Sequence, residues 1–152
     1  MNKNAYIRTV GVVILIVTLL ATGITILFFW NQLILNGLAK DFEAIIEDAE
    51  GVELIETKSV YGNLNGNGNN INYFAAALVT ADSEEDLKAL VETLGKYFEV
   101  AGYEKQIGTK VENKYLDRPD LYYETEPSEG TYTVYFFNSS HPKSNLLDIK
   151  GH

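Results

Sequence analysis

Residues 71–81 read INYFAAALVTA, and from Tyr73 to Val79 every side chain is apolar. A strand with one wet face alternates apolar and polar residues, so a run without alternation predicts a central strand covered on both sides. Ala75, Ala76 and Ala77 are small enough to let a helix approach closely.

Upstream, Gly62–Asn70 is almost entirely asparagine and glycine, residues that accept positive φ and resist regular structure. It predicts a hairpin loop, with Asn65-Gly66 or Asn67-Gly68 forming the turn. Val52–Tyr61, with β-branched Val52, Ile55, Thr57 and Val60, is then the partner strand.

Downstream, Ser83 with Asp86, or Asp82 with Glu85, can form a capping box, and the acids that follow suit a helix amino terminus. Leu87, Leu90, Val91, Leu94, Phe98 and Ala101 form an apolar stripe that predicts a helix ending at Gly102, with Lys88, Glu92, Lys96 and Glu99 in water. Tyr103–Glu112 reads as a strand with a bulge at Gly108, and Asn113–Asp120, which holds Arg118-Pro119, as a connection. Leu121–Glu126 and Thr131–Asn138 flank the turn Pro127-Ser128-Glu129-Gly130 and predict a second hairpin. Residues 139–152 have no periodic face and read as a tail.

The expected fold is α+β: about five strands in ββαβββ order, an antiparallel or mixed sheet packed with one or two helices. One of these helices precedes the sheet. Leu35, Leu38, Phe42, Ile45 and Ala49 recur at helical spacing within residues 33–50, and Gly51 is suited to a left-handed cap. That stripe fits packing on its own domain better than a two-heptad coiled coil.

Ahead of it lies Val10–Trp30, apolar throughout, without proline or charge and with only three threonines. As a helix it reaches about 31 Å, the thickness of a bilayer's hydrocarbon core. Lys3 and Arg8 precede the run, and the next charges are Lys40 and Asp41, which predicts a cytoplasmic amino terminus and an extracytoplasmic remainder. Tyr6 and Trp30 stand where aromatic residues mark the two interfaces. A cleaved signal ending near Ala21-Thr22-Gly23 is the rival reading, but Ile24–Trp30 prolongs the run past the 7 to 15 apolar residues usual for signals. A buried core helix would be unusually long and apolar on all sides. The divisions are therefore a flank at 1–9, an anchor at 10–30, an ectodomain at 31–138 and a tail at 139–152.

The absence of cysteine excludes disulfides, thiolate catalysis and lipid-modified cysteine. Asn31–His152 holds 10 basic and 21 acidic residues, a field that repels nucleic acid and anionic lipid head groups. Catalytic motifs are missing as well. The histidines, His141 and His152, fall in the tail, and no ligand spacing indicates a metal or another cofactor. Glu124 and Glu126 would share a strand face, a geometry that could serve acid–base chemistry, although acids beside an exposed turn ordinarily provide solubility. The Asn/Gly loop lacks the lysine of a phosphate loop and the aspartates of a calcium loop. Asn138-Ser139-Ser140 matches the short glycan-acceptor pattern, which matters only in a eukaryotic secretory route.

Five of ten tyrosines, Tyr115, Tyr122, Tyr123, Tyr132 and Tyr135, cluster in the second hairpin and its approach. Outward members would offer rigid, amphipathic contacts, so Tyr122, Tyr123, Tyr132 and Tyr135 with Asn65 and Asn67 form the candidate partner surface. The expected function is a non-enzymatic binding, accessory or sensing module for a protein, peptide or envelope component. An apolar helix running into an amphipathic one and then a sheet also resembles the layout of type IV pilins, with Gly11 at the end of a basic leader. That resemblance implies a filament subunit. The chain departs from it at Val12, where pilins have phenylalanine, and at Ile16, where they have glutamate. An enzyme of unrecognised type is the third alternative.

Overall fold

The computed structural model describes residues 3–62, 64, 71–116 and 121–139. Their order is α1 (Lys3–Glu47), β1 (Val52–Gly62), β2 (Asn72–Ala81), α2 (Glu84–Leu94), β3 (Val100–Lys105) and β4 (Thr131–Ser139). The chain divides into two compact units, residues 1–34 and 35–152.

The first unit is helix. Thr18 and Thr25 return their hydroxyls to the carbonyls of Ile14 and Ala21 at 2.9 and 2.8 Å, so these polar groups are satisfied within the helix. The large apolar side chains described between Val10 and Trp30 are exposed.

In the second unit, four antiparallel strands form one sheet in the order β1-β2-β4-β3. The fold is α+β, with four strands where the sequence predicts about five. β2 is central and buried on both faces from Asn72 to Val79. The first hairpin forms as expected, and its loop lies outside the described residues apart from Leu64.

One face of the sheet is covered by helices. Phe42 and Ile46 of α1 and Leu87, Leu90 and Leu94 of α2 are buried there with Phe98 and Phe136. Phe98 stacks on Phe136 with ring centroids 4.1 Å apart, and Phe42 meets both rings edge-on. Ile46 carries the burial on the last turn of α1, while Ile45 is only half-buried. The helix stops at Glu47, and the turn after it closes at Gly51 with φ +70°. Glycine is doubly required here, since a Cβ would also lie 2.8 Å from the Asp86 carboxylate.

Ser83 caps α2 by accepting the Asp86 amide at 3.2 Å. The helix is shorter than its apolar stripe predicts. It ends at Leu94, and the amides of Tyr97 and Phe98 bond to the Leu94 carbonyl in tight turns that still bury Phe98. Val100 and Ala101 then pair with Phe137 and Phe136, so Ala101 and Gly102 belong to a strand. Gly102 terminates nothing. It lies under the Tyr135 ring, where a Cβ would sit 2.7 Å from the phenolic oxygen.

The second hairpin does not form, for a topological reason. β4 has β2 on one side and β3 on the other, so neither edge remains for residues 121–126. β3 also stops at Lys105 and does not run on to Glu112. Residues 106–116 instead leave the sheet, and residues 121–130 return over its second face. They carry Val111 and Tyr123 onto Phe74, Ala76, Leu78, Tyr135 and Phe137. Lys110 and Tyr122 form a strand-like bridge between the two limbs. The Asn113 side chain turns the chain by accepting the amides of Tyr115 and Leu116.

Candidate functional site

The four candidate tyrosines do not share a surface. Tyr123 and Tyr135 are each 3% exposed and belong to the core under the 106–130 excursion. Tyr132 is half-buried on the helix-covered face, where its ring meets Tyr103 edge-on at 6.2 Å. Tyr122 alone is exposed. Asn65 and Asn67 lie outside the described residues, as do His141 and His152.

Under the excursion, the buried Gln106 side chain ties several backbone groups together. The Gln106 amide donates to the carbonyls of Gly108 and Lys110 and accepts the Glu112 amide. Its oxygen also accepts the Thr133 hydroxyl, which in turn lies 3.1 Å from the Tyr123 hydroxyl. Burial pushes the Tyr123 phenol well above its ordinary value, more than the Thr133 contact lowers it, so it stays neutral. Each of these groups is hydrogen-bonded within the network.

At the far end, Glu56 of β1 fastens the excursion to the sheet. Its carboxylate accepts the Glu124 amide at 2.9 and 3.0 Å and the Thr125 amide at 2.9 Å. Lys58 lies 2.9 Å from both Glu56 and Glu124. Burial works to raise the Glu56 pKa, but the Glu124 amide, the Lys58 ammonium and the Thr125 donors outweigh it and hold the group at about 2. A carboxylate so firmly ionised cannot act as a general acid near neutrality. Glu124 and Glu126 do not face one another from a strand; both are exposed, and Glu124 is tied to Lys58.

Among the described residues, no three metal-ligating side chains gather. A shallow groove of about 560 Å³ runs along the outer edge of β1. It is lined by Glu43 and Glu47 of α1 and by residues 52–57, where the ladder to β2 slips at Ile55. Sequence reading missed this site. Its one visible signal is the placement of Glu43, Glu47 and Asp48 at the negative end of a helix dipole, an arrangement that costs stability.

Of the expected membrane flanks, Arg8 and Trp30 are exposed. Nothing is described of the Lys3 and Tyr6 side chains. The apolar part of α1 is the one helix among the described residues long and apolar enough to cross a membrane, and none of its most apolar window is buried by the rest of the chain. Set against known proteins, the chain matches no family model, no curated protein and no solved structure.

Proposed function

We propose that this is a single-pass membrane protein whose amino terminus is cytoplasmic and whose acidic α+β domain, outside, acts as a binding, accessory or sensing module rather than an enzyme. The observation that carries the reading is the exposure of the large apolar side chains described along the run. A core helix would be buried, whereas the large side chains described from Val12 to Leu20, with Ile24, Ile26, Phe29 and Trp30, are exposed. In water that surface is a heavy liability; in lipid it is ordinary. The non-enzymatic part rests on the chemistry of the second unit, where Gln106, Thr133 and Glu56 are engaged in holding one loop in place.

The native chain has no cysteine, so single cysteines at Asn4 and at Glu129 provide a clean topology test. In intact cells a membrane-impermeant maleimide should label the Glu129→Cys variant and leave the Asn4→Cys variant unlabelled until the membrane is opened. The reverse pattern, or release of the full chain by alkaline carbonate, overturns the reading.

One observation favours the filament alternative: α1 runs unbroken from Lys3 to Glu47, and its last turns pack on a four-stranded antiparallel sheet, as the pilin-like layout requires. A mature amino terminus at Val12 in mass spectra would support a processed filament subunit, whereas an intact terminus at Met1 or Asn2 would remove it.

A further inference from the structure

The two ends of the sheet differ in a way that the binding reading leaves unused. β3 is a short edge of six residues ending in Lys105. β1 is an edge of eleven residues, and among the described residues no strand pairs with its outer side. Half of an edge strand's amides and carbonyls point away from its neighbour, so a long open edge is a template for another strand. Proteins blunt such edges with proline, lysine or bulges. β1 has no proline, its single lysine is committed to Glu56 and Glu124, and its one irregularity lies at Ile55, inside the groove.

The groove's charge selects what could lie there. Register places Leu54 and Thr57 opposite Val79 and Ala77, on the helix-covered face, while Glu56 stands opposite Leu78 on the other. Glu53, whose partner is Thr80, shares the Glu56 side. Glu43 and Glu47 reach the groove from the helix-covered side. An incoming strand would therefore meet carboxylates on both of its faces. Glu56 is already saturated by two amides and Lys58, which leaves Glu43, Glu47 and Glu53 to receive a cation. The α1 carboxyl end adds its negative dipole, with no basic residue in the last turn to offset it.

We propose that the outer edge of β1 accepts an extended basic segment of a partner protein as an added strand. This deepens the binding reading above and rests on it. Neighbouring residues of a strand point to opposite faces, so a pair of consecutive lysine or arginine residues answers both walls at once. One cation meets Glu43 and Glu47, the other Glu53.

The test uses the full chain in a zwitterionic detergent and a fluorescent peptide of about eight residues, long enough to pass Val52–Thr57 at about 3.3 Å per residue. The peptide alternates Thr-Val with Lys-Arg pairs, and anisotropy reads its binding. Saturable binding is expected at low salt. The triple variant Glu43→Gln, Glu47→Gln, Glu53→Gln should weaken it by about tenfold, the combined worth of several exposed ion pairs. A control with the same net charge, Glu85→Gln, Glu92→Gln, Glu129→Gln, should leave it within about twofold. Methylating alternate backbone nitrogens of the peptide should cost at least as much as the first triple. Absence of saturable binding, equal loss from both triples, or indifference to N-methylation would each overturn the proposal. Such a failure is distinguishable from failure of the broader reading, because labelling topology and carbonate extraction are measured without the peptide.

Discussion

Phe42 of α1 meets Phe136 of β4 edge to face, with ring centroids 5.2 Å apart and planes at 71°. Through this contact, the helix that leaves the apolar run packs on the sheet. Both rings are fully buried, and Phe98 completes the cluster from the turn after α2. Phe42→Ala should lower the stability of the folded domain by about 3–5 kcal/mol, since the site is hemmed in and cannot collapse. Denaturant unfolding followed by far-UV circular dichroism would measure it. The matched control is Tyr97→Ala, 69% exposed, which should cost no more than about 0.5 kcal/mol.

Gly102 lies in β3 beneath Tyr135, and this contact predicts a specific coupling. An alanine Cβ there would meet the phenolic oxygen at 2.7 Å and the ring carbon bearing it at 2.8 Å. Gly102→Ala should therefore destabilise by about 1–3 kcal/mol through overpacking. Tyr135→Phe removes the nearer of these atoms, so the double variant should recover part of the loss. Additive effects in the double-mutant cycle would contradict the contact.

Local physics made several elements legible before any coordinates. Ser83 announced a helix start because a hydroxyl three residues before a carboxylate satisfies an orphan amide wherever it occurs. Tyr73–Val79 announced a central strand because unbroken apolarity leaves few other places for it. What stayed hidden was non-local. Residues 121–126 carry a strand-like composition, yet the two edges of β4 are taken by β2 and β3, which no window around 121 reveals. Phe98 and Ala101 continue the periodicity of α2, yet the pull of the β3–β4 ladder wins over propensity. Tyrosines also look alike in sequence whether they face water or core. The burial of Tyr123 follows from the fold of the 106–130 excursion, which Gln106 organises from a distance.

That organisation can be tested by deletion. Gln106 is 3% exposed and serves the carbonyls of Gly108 and Lys110 as well as the Glu112 amide. Gln106→Ala removes all the hydrogen bonds of a buried side chain, that from the buried Thr133 hydroxyl included, and should cost about 1–3 kcal/mol. Hydrogen exchange should localise the effect, with the amides of Val111 and Tyr123, bonded to Leu121 and Thr109, losing protection before those of β2. Uniform loss across the sheet would show that the excursion has no separate stability.

Glu56 predicts the shape of the acid limb. Its carboxyl, ordinarily near 4.5, is held at about 2 in the folded chain. A depressed folded pKa means that the unfolded chain binds the proton more readily, so the contribution is present above about pH 4.5 and is lost as pH falls from there towards 2. The full shift corresponds to about 3 kcal/mol, which is an upper bound because solvent reaches part of the site. Glu56→Gln should lower stability at pH 7 and flatten its dependence across that window. Glu124→Gln should do much less, since Glu124 contributes its backbone amide to Glu56 while its own side chain is 88% exposed.

The exposed apolar run yields the last prediction. Val17 lies near the middle of Val10–Trp30 and is 59% exposed. If lipid surrounds it, Val17→Lys places a charge near the bilayer centre and should impair insertion by about 2.5–3.5 kcal/mol on translocon scales. Lysine at Leu33, beyond Trp30 and 63% exposed, should be tolerated because its side chain can reach the interface. Flotation on a density gradient separates the outcomes: the Leu33→Lys chain should rise with the lipid, while a measurable fraction of the Val17→Lys chain should remain below. Equal flotation of the two would mean that the run does not cross the hydrocarbon layer where its hydropathy centres it.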